Sequence, residues 1–424
     1  MSQHNPINNL SPVWTRATSI IAERGEGCYI YGEDGTQYLD FTCGIGVTNI
    51  GHCHPRVVEA IRRQAGLLLH GQANIVYHRP MIQLAEQLKE IFPSKLDGFF
   101  FSNSGAEAIE GAVKLARAAT RRTNVIVSQG SFHGRTVGAM SLTTSKTIYR
   151  AGYQPLMPGV FVAPFPYHHR YGWDAEVTSQ WCLDELRYLL QTQTAPFETA
   201  AILIEPVLGE GGYVVPPANF LPGLRDIAAE HGILLILDEV QSGFGRTGKW
   251  LAYEHFNITP DIVVIAKGMA SGMPISGVVA PLEMMELWTP GSHGGTYGGN
   301  AMSAAAAVAT IQAIREENML ENARLRGAEL IEGLRQLGVK YPFISDVRGL
   351  GLMIGVEFRD ADRQPDKTTA KKVIQACLKR KMLLLSCGPW DNTIRFIPPI
   401  NIESGIVEKA LKIFESSLAD VYSV

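Results

Sequence analysis

Several features that mark particular classes of protein are missing from this 424-residue sequence. Its six cysteines form no C-x-x-C pair and are scattered along the chain as Cys28, Cys43, Cys53, Cys182, Cys377 and Cys387. We therefore expect free thiols in a reducing compartment. The formal net charge is only −3, so the composition offers no strongly basic surface for nucleic acid or for an anionic membrane.

Signals for export and for membrane insertion are also absent. The amino-terminal stretch MSQHNPINNLSPVW lacks the apolar core of a secretory signal. The longest apolar helix-like run, residues 302–314, contains Gln312 and is too short to span a bilayer. The sequence contains no internal repeat and no low-complexity tract. These absences predict a cytoplasmic protein without a membrane or nucleic-acid partner.

Short apolar runs alternate with longer helix-like segments through the middle of the chain. Hydrophobic residues make up 46% of the sequence, which is enough for a large core and more than one packing unit. The candidate strands are residues 98–101, 125–128, 161–164, 201–207, 233–240 and 261–266, and the candidate helices between them include 106–119 and 219–232. Several runs are apolar on both faces, as in a parallel sheet covered by helices. The alternation predicts an α/β fold with a mostly parallel central sheet.

The two ends of the chain have a different pattern. Residues 28–41, CYIYGEDGTQYLDF, alternate around a GEDG turn and predict an antiparallel hairpin. From about residue 315 a helix-like segment is followed by the apolar runs LGLMIGVEF, LLLSC and TIRFIP and then by a second helix. This order predicts a smaller α+β unit at the carboxyl end.

The stretch LDEVQSGFGRTGKW (237–250) is one residue away from a nucleotide-binding phosphate loop. That motif requires a Ser or Thr hydroxyl for Mg²⁺ where this chain has Trp250. The preceding Asp238 and Glu239 would also place negative charge beside a triphosphate. We therefore favour a glycine-rich turn, anchored by Arg246, that lets chain segments approach closely.

The ends of the predicted strands carry the residues of greater interest. In an open α/β sheet, ligands bind outside the carboxyl ends of the strands. Asp238 ends one predicted strand and Lys267 follows the next, so both could reach one crevice. Each residue alone is more commonly a solvated charge, and the assignment depends on what other strand ends contribute.

Other strand ends do contribute suitable groups. Ser104, Gly105 and Ala106 begin a helix, where a hydroxyl and free N–H groups can bind phosphate. The remaining candidates are Phe132 and His133 as cover for a flat ring, Arg135 for an anion, Glu205 and Glu210 after the strand 201–207, and Thr296 in a glycine-rich loop that could bind phosphate. An acid, a lysine, an aromatic plate and a phosphate cradle together fit pyridoxal phosphate.

The same segments carry a resemblance to a known family. The chain resembles the class III aminotransferases in YLDFTCGIGVTNIGHCHPRV, SNSGAEA, SFHGRT, IEPVLGEGG, LDEVQSGFGRTGKW, IAKGMASGMP, GGTYGGN and DVRGLGLMIGVE. Those enzymes are pyridoxal-phosphate-dependent and have fold type I. Within the class, LLLSCGPWDNTIRFIPP is most similar to 4-aminobutyrate aminotransferases, and acetylornithine, ornithine and broader ω-amine enzymes share most other motifs.

The resemblance implies a role for each candidate. Lys267 would form the Schiff base with the cofactor and later move a proton. The other implied cofactor contacts are Asp238 with the ring nitrogen, Val240 and Phe132 on the two ring faces, His133 beside the ring, Gln241 with the ring hydroxyl, Glu205 behind Gln241, and Ser104, Gly105 and Ala106 with the phosphate. Thr296 would reach the cofactor phosphate of the partner in a homodimer. Family members often have Ser or Thr at the position of Ala106 and Tyr at that of Phe132.

The resemblance also implies a substrate pocket and a division of the chain. Arg135 and Arg395 would bind carboxylates of an amino donor and of a 2-oxo acid acceptor. Glu210 would neutralise Arg395 when the donor lacks a nearby carboxylate, and Ile45 would line the entrance. The implied units are residues 1–58, which join the small domain, residues 59–318, which form the large cofactor-binding domain, and residues 319–424, which complete the small domain.

Some alternatives stay open. GHCHP (51–55) brings His52, Cys53 and His54 together, but no distant pair completes a zinc site, so we predict no metal. YHHRYGW (167–173) predicts a surface loop. The same fold and cofactor also support racemases, aminomutases and decarboxylases, which the sequence does not separate from a transaminase.

Overall fold

A computed structural model describes residues 9–422 of the chain. The predicted end segments 1–58 and 319–424 include residues 1–8 and 423–424, which lie outside the described residues. The strands are β1 (Ala22–Glu26), β2 (Tyr29–Gly32), β3 (Gln37–Asp40), β4 (Gly98–Ser102), β5 (Asn124–Ser128), β6 (Val160–Ala163), β7 (Thr199–Ile204), β8 (Leu234–Asp238), β9 (Ile262–Ile265), β10 (Ser276–Ala280), β11 (Ile344–Leu350), β12 (Met353–Phe358), β13 (Met382–Leu383), β14 (Leu385–Cys387) and β15 (Thr393–Phe396). The helices are α1 (Cys43–Gly46), α2 (Pro55–Ala65), α3 (Arg79–Lys89), α4 (Gly105–Thr120), α5 (Val137–Leu142), α6 (His168–Tyr171), α7 (Ala175–Thr192), α8 (Phe220–His231), α9 (Leu282–Met285), α10 (Ala301–Glu316), α11 (Met319–Lys340), α12 (Lys367–Lys379) and α13 (Ser404–Tyr422).

A seven-stranded sheet forms the centre of the molecule, in the order β4-β10-β9-β8-β7-β5-β6. Strands β5 to β9 pair in parallel, and only β10 runs antiparallel to its neighbours β4 and β9. Every residue of β7, β9 and β10 is buried, as strands covered on both faces require. The predicted α/β fold with a mostly parallel central sheet is confirmed. The antiparallel strand β10 was not predicted.

Helices connect these strands where the sequence predicts them. The candidate helices 106–119 and 219–232 correspond to α4 and α8. Gly232 ends α8 in the left-handed conformation, with a φ of 59°, which a residue without a side chain adopts at little cost. Within residues 9–422, no helix is both long and apolar enough to cross a membrane.

Two smaller four-stranded sheets complete the fold. One has the order β1-β2-β3-β13, and the other has the order β11-β12-β15-β14. Strands β2 and β3 form the predicted antiparallel hairpin. Strand β13, from near the carboxyl end, pairs with β3 through Met382 opposite Leu39. The two chain ends therefore share one sheet, while the exact domain boundaries at residues 58 and 318 stay a prediction.

The glycine-rich turn after β8 is a packing element. Arg246 is fully buried and donates hydrogen bonds to the carbonyl of Leu352 at 3.1 Å and to Asn49 Oδ1 at 2.8 Å. A Cβ added to Gly351 would lie 2.4 Å from the carbonyl carbon of Thr247, so two backbones meet there. This arrangement agrees with the predicted role of Arg246 as an anchor.

The segment 167–173 differs from its prediction. Residues His168–Tyr171 form the short helix α6, and Tyr167 is buried. The hydroxyl of Tyr167 donates to Glu357 and accepts from Arg348 at 2.8 Å. The prediction of a surface loop is therefore wrong for Tyr167, because its aromatic ring and hydroxyl satisfy a buried polar cluster that the local sequence does not reveal.

Candidate active site

A cavity of about 350 Å³ lies at the carboxyl edge of the seven-stranded sheet. Strands β4, β5, β7, β8 and β9 run in one direction, so their carboxyl ends meet at this edge. The predicted site residues that line the cavity are Ser104, Gly105, Ala106, Phe132, His133, Glu205, Glu210, Asp238, Val240, Gln241 and Lys267. The sheet therefore brings together side chains that are far apart in the sequence.

A buried carboxylate and an imidazole form one wall. Asp238 ends β8, is 4% exposed, and has its Oδ2 atom 2.7 Å from Nδ1 of His133. Its Oδ1 atom accepts a hydrogen bond from the N–H of Val240 at 3.0 Å. The Nε2 atom of His133 is buried and has no hydrogen-bond partner within residues 9–422. These contacts hold the carboxylate in one orientation toward the cavity, where it can accept a hydrogen bond from a protonated nitrogen.

A second carboxylate lies behind the first. Glu205 accepts hydrogen bonds from the N–H groups of Phe132 and Gly209, each at 2.8 Å. Burial and the nearby charge of Asp238 raise the pKa of Glu205 despite those two donors. The buried Oε1 atom of Gln241 has no hydrogen-bond partner in the described part of the chain. The site thus contains unused polar atoms, as expected of a pocket built for a polar ligand.

Lys267 follows β9 and lines the same cavity as these acids. Its φ of 40° is left-handed, which is unfavourable for a residue with a side chain and is common at functional sites. Burial lowers the pKa of Lys267, although the negative charges of Glu210 and Asp238 act in the other direction. The amine is therefore more easily deprotonated than that of an exposed lysine, as a nucleophile or a base requires.

The amino terminus of α4 forms an anion site. Ser104 caps the helix by accepting a hydrogen bond from the N–H of Glu107 at 3.3 Å. The carbonyl of Ser104 accepts a second hydrogen bond from the hydroxyl of Ser276 at 2.7 Å. The first N–H groups of a helix lack internal partners, and Gly105 and Ala106 occupy those positions beside the cavity. This end of the helix suits a phosphate group.

Charged and aromatic side chains that contact or adjoin the lining residues Glu210 and Phe132 form what we call the rim of the cavity. Glu210 and Arg395 make a largely buried ion pair. Burial by itself raises the pKa of Glu210, but Arg395 and Lys267 outweigh it, so the net pKa is lowered and the carboxylate stays charged. Arg135 is exposed, and its guanidinium lies 4.7 Å from the ring centre of Tyr149. The rim therefore has one paired arginine and one arginine that is stacked on a ring.

Four predicted residues are not among those that line the cavity, namely Ile45, Arg135, Thr296 and Arg395. Ile45 is 38% exposed and has a φ of 66°, and Thr296 is exposed on a loop that lines a separate cavity with Asn103 and Thr136. The lining residues that the sequence did not indicate are Val47, Asn103, Gly134, Ala266, Gly272, Met273, Pro274 and Ile275. The last four follow Lys267 in the GMASGMPIS segment, so its glycines and proline were the only available signal.

The residues present fit pyridoxal phosphate. Asp238 offers a fixed carboxylate, Lys267 an amine with a lowered pKa, and the start of α4 an anion cradle. Beside the cavity, Nε2 of His133 and Oε1 of Gln241 are buried and have no hydrogen-bond partner within residues 9–422, as in a polar site that a ligand completes. No feature of the donor set requires a metal ion.

Comparisons with known proteins support this chemistry. The family profile described as Aminotransferase class-III matches residues 10–418. The chain is 38% identical over 403 residues to a probable 4-aminobutyrate aminotransferase of Bacillus subtilis, a match that covers 94% of this chain and 92% of the relative. It is also 38% identical over 408 residues to an alanine/serine racemase of Pyrococcus horikoshii, covering 95% of this chain and 86% of the relative.

The chain is also similar to a solved structure over nearly its whole length. A PLP-bound amine transaminase from an uncultivated Pseudomonas species matches with a TM-score of 0.92 and 29% identity, covering 97% of this chain and 98% of that chain. The profile covers nearly the whole sequence, and the cavity holds the groups that the cofactor requires. This chain therefore belongs to the class III aminotransferases, which are pyridoxal-phosphate-dependent enzymes of fold type I.

Proposed function

We propose that this enzyme transfers the amino group of an ω-amino acid, most readily 4-aminobutyrate, to 2-oxoglutarate. The observation that carries the proposal is the ion pair between Glu210 and Arg395 at the rim of the cavity. The name of the Bacillus subtilis relative points to the same donor. Transfer would proceed in two half-reactions, with donor and acceptor visiting the same site in turn.

The ion pair suits two substrates of different charge. 4-Aminobutyrate has no carboxylate on the carbon that bears its amine, so a bare buried arginine beside that carbon would be costly. Glu210 removes this cost by pairing with Arg395. When glutamate or 2-oxoglutarate enters, its α-carboxylate replaces Glu210 on the guanidinium. One site can then accept both substrates without moving the arginine.

Arg135 is our candidate for binding the carboxylate that the two substrates share. No acidic side chain within residues 9–422 lies within ion-pair distance of Arg135, which stacks on Tyr149. A guanidinium held by a ring keeps its N–H groups available for a bidentate carboxylate. The far carboxylate of 4-aminobutyrate and that of 2-oxoglutarate would bind here, which leaves the reacting carbon near Lys267.

The cofactor would be held by the residues around the cavity. When bound, pyridoxal phosphate withdraws electrons from the bonds of the substrate carbon that carries the amine. We assign Asp238 to the ring nitrogen, with His133 holding the carboxylate in place. The other assignments are Phe132 and Val240 to the ring faces, Gln241 to the ring hydroxyl with Glu205 behind it, and Ser104, Gly105 and Ala106 to the phosphate.

Lys267 would carry out the proton transfers. Burial lowers the pKa of its Nζ atom, which increases the fraction of neutral amine near neutral pH. As a free amine, Nζ would take the proton from the substrate carbon and return it on the cofactor side. Ile45, whose side chain is 38% exposed, would border the entrance to the cavity.

We further propose a homodimer in which Thr296 contributes to the partner's phosphate site. The loop contacts the segment 70–77, and exposed apolar side chains here include Ile75, Tyr77 and Tyr297, which are 79%, 84% and 62% exposed. Replacing Thr296 with Ala should weaken cofactor affinity without changing the unfolding temperature of the apo-protein. An unchanged dissociation constant for pyridoxal phosphate would contradict the role of Thr296.

A donor panel with 2-oxoglutarate as acceptor tests the substrate proposal. The donors are 4-aminobutyrate, β-alanine, N-acetylornithine, ornithine and a simple aromatic amine. We expect the highest kcat/KM with 4-aminobutyrate and formation of glutamate in equal amount. A higher kcat/KM with N-acetylornithine would indicate a different preferred donor within the same enzyme family.

The racemase of Pyrococcus horikoshii supports a second candidate function. A racemase turns over alanine or serine without an acceptor, whereas a transaminase stops after one half-reaction. The enzyme should therefore be incubated with L-alanine in the absence of any 2-oxo acid. Continued formation of D-alanine would favour racemisation, and a single stoichiometric conversion of cofactor would favour transamination.

A further inference from the structure

The arginine of the DVRGLGLMIGVE segment makes an unusually complete set of contacts. Arg348 lies on β11, and its Nε and Nη2 atoms donate to the carbonyl of Gly212 at 3.1 and 2.6 Å. Nη1 donates to Asp346 Oδ2 and Glu357 Oε2, both at 2.7 Å. Nη2 also donates to the hydroxyl of Tyr167 at 2.8 Å. A guanidinium has five N–H groups, so every donor of this side chain is used.

The sheet places Arg348 beside the substrate-binding arginine. Arg348 is directly opposite Gly355 on β12, and Gly355 is directly opposite Arg395 on β15. Directly opposed residues of antiparallel strands project to the same face. Gly355 separates the two arginines without a side chain, and an added Cβ would lie 3.2 Å from the carbonyl oxygen of Gly212. The loop that carries Glu210 therefore packs against the sheet at Gly355, between the two arginines. We call this position without a side chain the bare strip.

The loop 208–213 needs an external anchor. It contains Gly209, Gly211 and Gly212, and glycines have the greatest backbone freedom in the absence of tertiary contacts. Gly388 donates a backbone hydrogen bond to the carbonyl of Glu210 at 2.9 Å. Glu205 accepts a hydrogen bond from the N–H of Gly209 at 2.8 Å, and Arg348 is the only side chain that donates to a carbonyl of the loop among the hydrogen bonds of residues 9–422. Charge-assisted hydrogen bonds of this kind are the stronger ones.

The two arginines hold the loop in different ways. Arg395 binds the side chain of Glu210, which a substrate carboxylate can replace. Arg348 binds the carbonyl of Gly212, which is part of the loop backbone and cannot rotate away as a carboxylate side chain can. We propose that Arg348 is a positioning residue that fixes the loop so that Glu210 returns to Arg395 whenever the substrate carboxylate leaves. This inference rests on the proposed alternation of Glu210 and substrate on Arg395.

The proposal predicts a change in substrate preference when Arg348 is replaced by Lys. Lysine keeps the positive charge but has three N–H donors on one atom, so it cannot reproduce the five hydrogen bonds of Arg348. With the loop loose, Arg395 would be unpaired more often, which penalises 4-aminobutyrate and spares glutamate. We expect the ratio of kcat/KM for 4-aminobutyrate to kcat/KM for glutamate to fall about tenfold, the effect of losing one hydrogen bond to a charged group.

Arg359→Lys is the matched control. Arg359 also binds Glu357, at 3.2 Å, and is similarly buried, but it does not contact the loop. The control should leave the substrate ratio unchanged. Equal losses for both donors in Arg348→Lys, with a lower unfolding temperature and an unchanged ratio, would overturn the proposal and leave Arg348 a purely structural residue.

Hydrogen–deuterium exchange of the cofactor-loaded enzyme gives a readout that does not depend on the donor. Amides of residues 208–213 should exchange faster in Arg348→Lys than in the wild type, and at the wild-type rate in Arg359→Lys. If the wild-type enzyme uses neither donor, the proposed function fails, but the exchange result still decides whether Arg348 anchors the loop. Unchanged exchange would reject the anchor.

Gly355→Ala provides a second variant if Arg348→Lys does not fold. The added methyl group would press on the carbonyl of Gly212 and on Cβ of Tyr213, 3.1 Å away. The loop should shift, and the substrate ratio should fall in the same direction as with Arg348→Lys. A ratio equal to that of the wild type would contradict the requirement for a bare strip.

Discussion

The two walls of the cavity are built differently. On the cofactor side, Asp238 ends β8 and His133 lies in the loop after β5, with β7 between the two strands, and a hydrogen bond joins the two side chains in a buried setting. On the substrate side, Glu210 and Arg395 come from a glycine-rich loop and from the carboxyl-terminal sheet. The first wall offers one arrangement, whereas the second contains an ion pair that a substrate can exchange.

The difference follows from what each wall must recognise. A cofactor that stays bound favours rigid, preorganised groups, because every fixed contact reduces the reorganisation needed during reaction. Two substrates of different charge need a site that can change its own charge. An ion pair whose members lie on separate elements meets that need, provided that the backbone of each element is held in place.

The largest expected effect comes from the amine on the cofactor wall. Lys267→Ala should lower kcat about 10⁴-fold or more, because both the covalent attachment and the proton transfer are lost. Borohydride reduction followed by peptide mass spectrometry should locate the cofactor on Lys267 in the wild type only. Lys249→Ala, whose lysine binds the carbonyl of Glu254, is the control and should keep activity. A Lys267→Ala enzyme with normal turnover would contradict the assignment of covalent attachment and proton transfer to Lys267.

The rigid wall can be tested next at its carboxylate. Asp238→Asn keeps the shape but removes the charge, and we expect kcat to fall roughly 10²–10³-fold, as when one electrostatic contact to a reacting group is removed. His133→Asn should have a smaller effect, because His133 acts through Asp238. Steady-state rates for the two variants measure the difference. Equal losses would mean that His133 contacts the reacting groups directly.

The exchangeable wall can be tested with a reciprocal pair of variants. Arg395→Ala should raise KM for 2-oxoglutarate roughly 10²-fold, the typical cost of truncating one partner of a buried charge pair. Glu210→Ala should instead harm 4-aminobutyrate more than glutamate, because Arg395 would face the cavity without a partner. Initial rates with each substrate varied in turn provide the measurement. Parallel effects on all substrates would argue against exchange.

The smallest effect concerns stability. Burial raises the pKa of Glu239 to about 7, although Ser242 and the N–H of Tyr253 oppose the shift. A carboxyl group with a raised folded-state pKa contributes stability when protonated and loses it as pH rises toward that value. The free energy of unfolding should therefore drop by about 1 kcal/mol from this group between about pH 6 and about pH 8.

The variant Glu239→Gln should remove most of that pH dependence in urea unfolding. Glu332→Gln, on the exposed side of α11, is the control and should leave the slope unchanged. If both variants keep the wild-type slope, Glu239 does not titrate in this range.

Much of the cofactor wall could be predicted because the ends of strands can be located from short stretches of sequence. Parallel strands end at a common edge, so Asp238 and Lys267 could be placed together from their positions after apolar runs. The contact between His133 and Asp238 joins residues 105 positions apart and could not be read from either segment. Tyr149 was missed for the same reason, since it lies far beyond the strand end that leads to Phe132.

The substrate wall depended on the small sheets. The resemblance implied that Glu210 and Arg395 meet, but the anchor between Arg348 and Gly212 spans 136 positions and had no local signal. Its existence follows from the register of three strands and from the absence of a side chain at Gly355. The conformation of Ile45 likewise had no local signal. Ile45 is exposed, and its backbone is in the left-handed region, which a β-branched residue disfavours.

By itself, the sequence determined the family, the cofactor and the large α/β fold, because periodic burial and strand-end chemistry act over short distances along the chain. The tertiary structure decided which residues share hydrogen bonds across the cavity and how the loop at residues 208–213 is held. Those contacts depend on strand register and on close backbone approach, and both are set by the packing of the whole molecule.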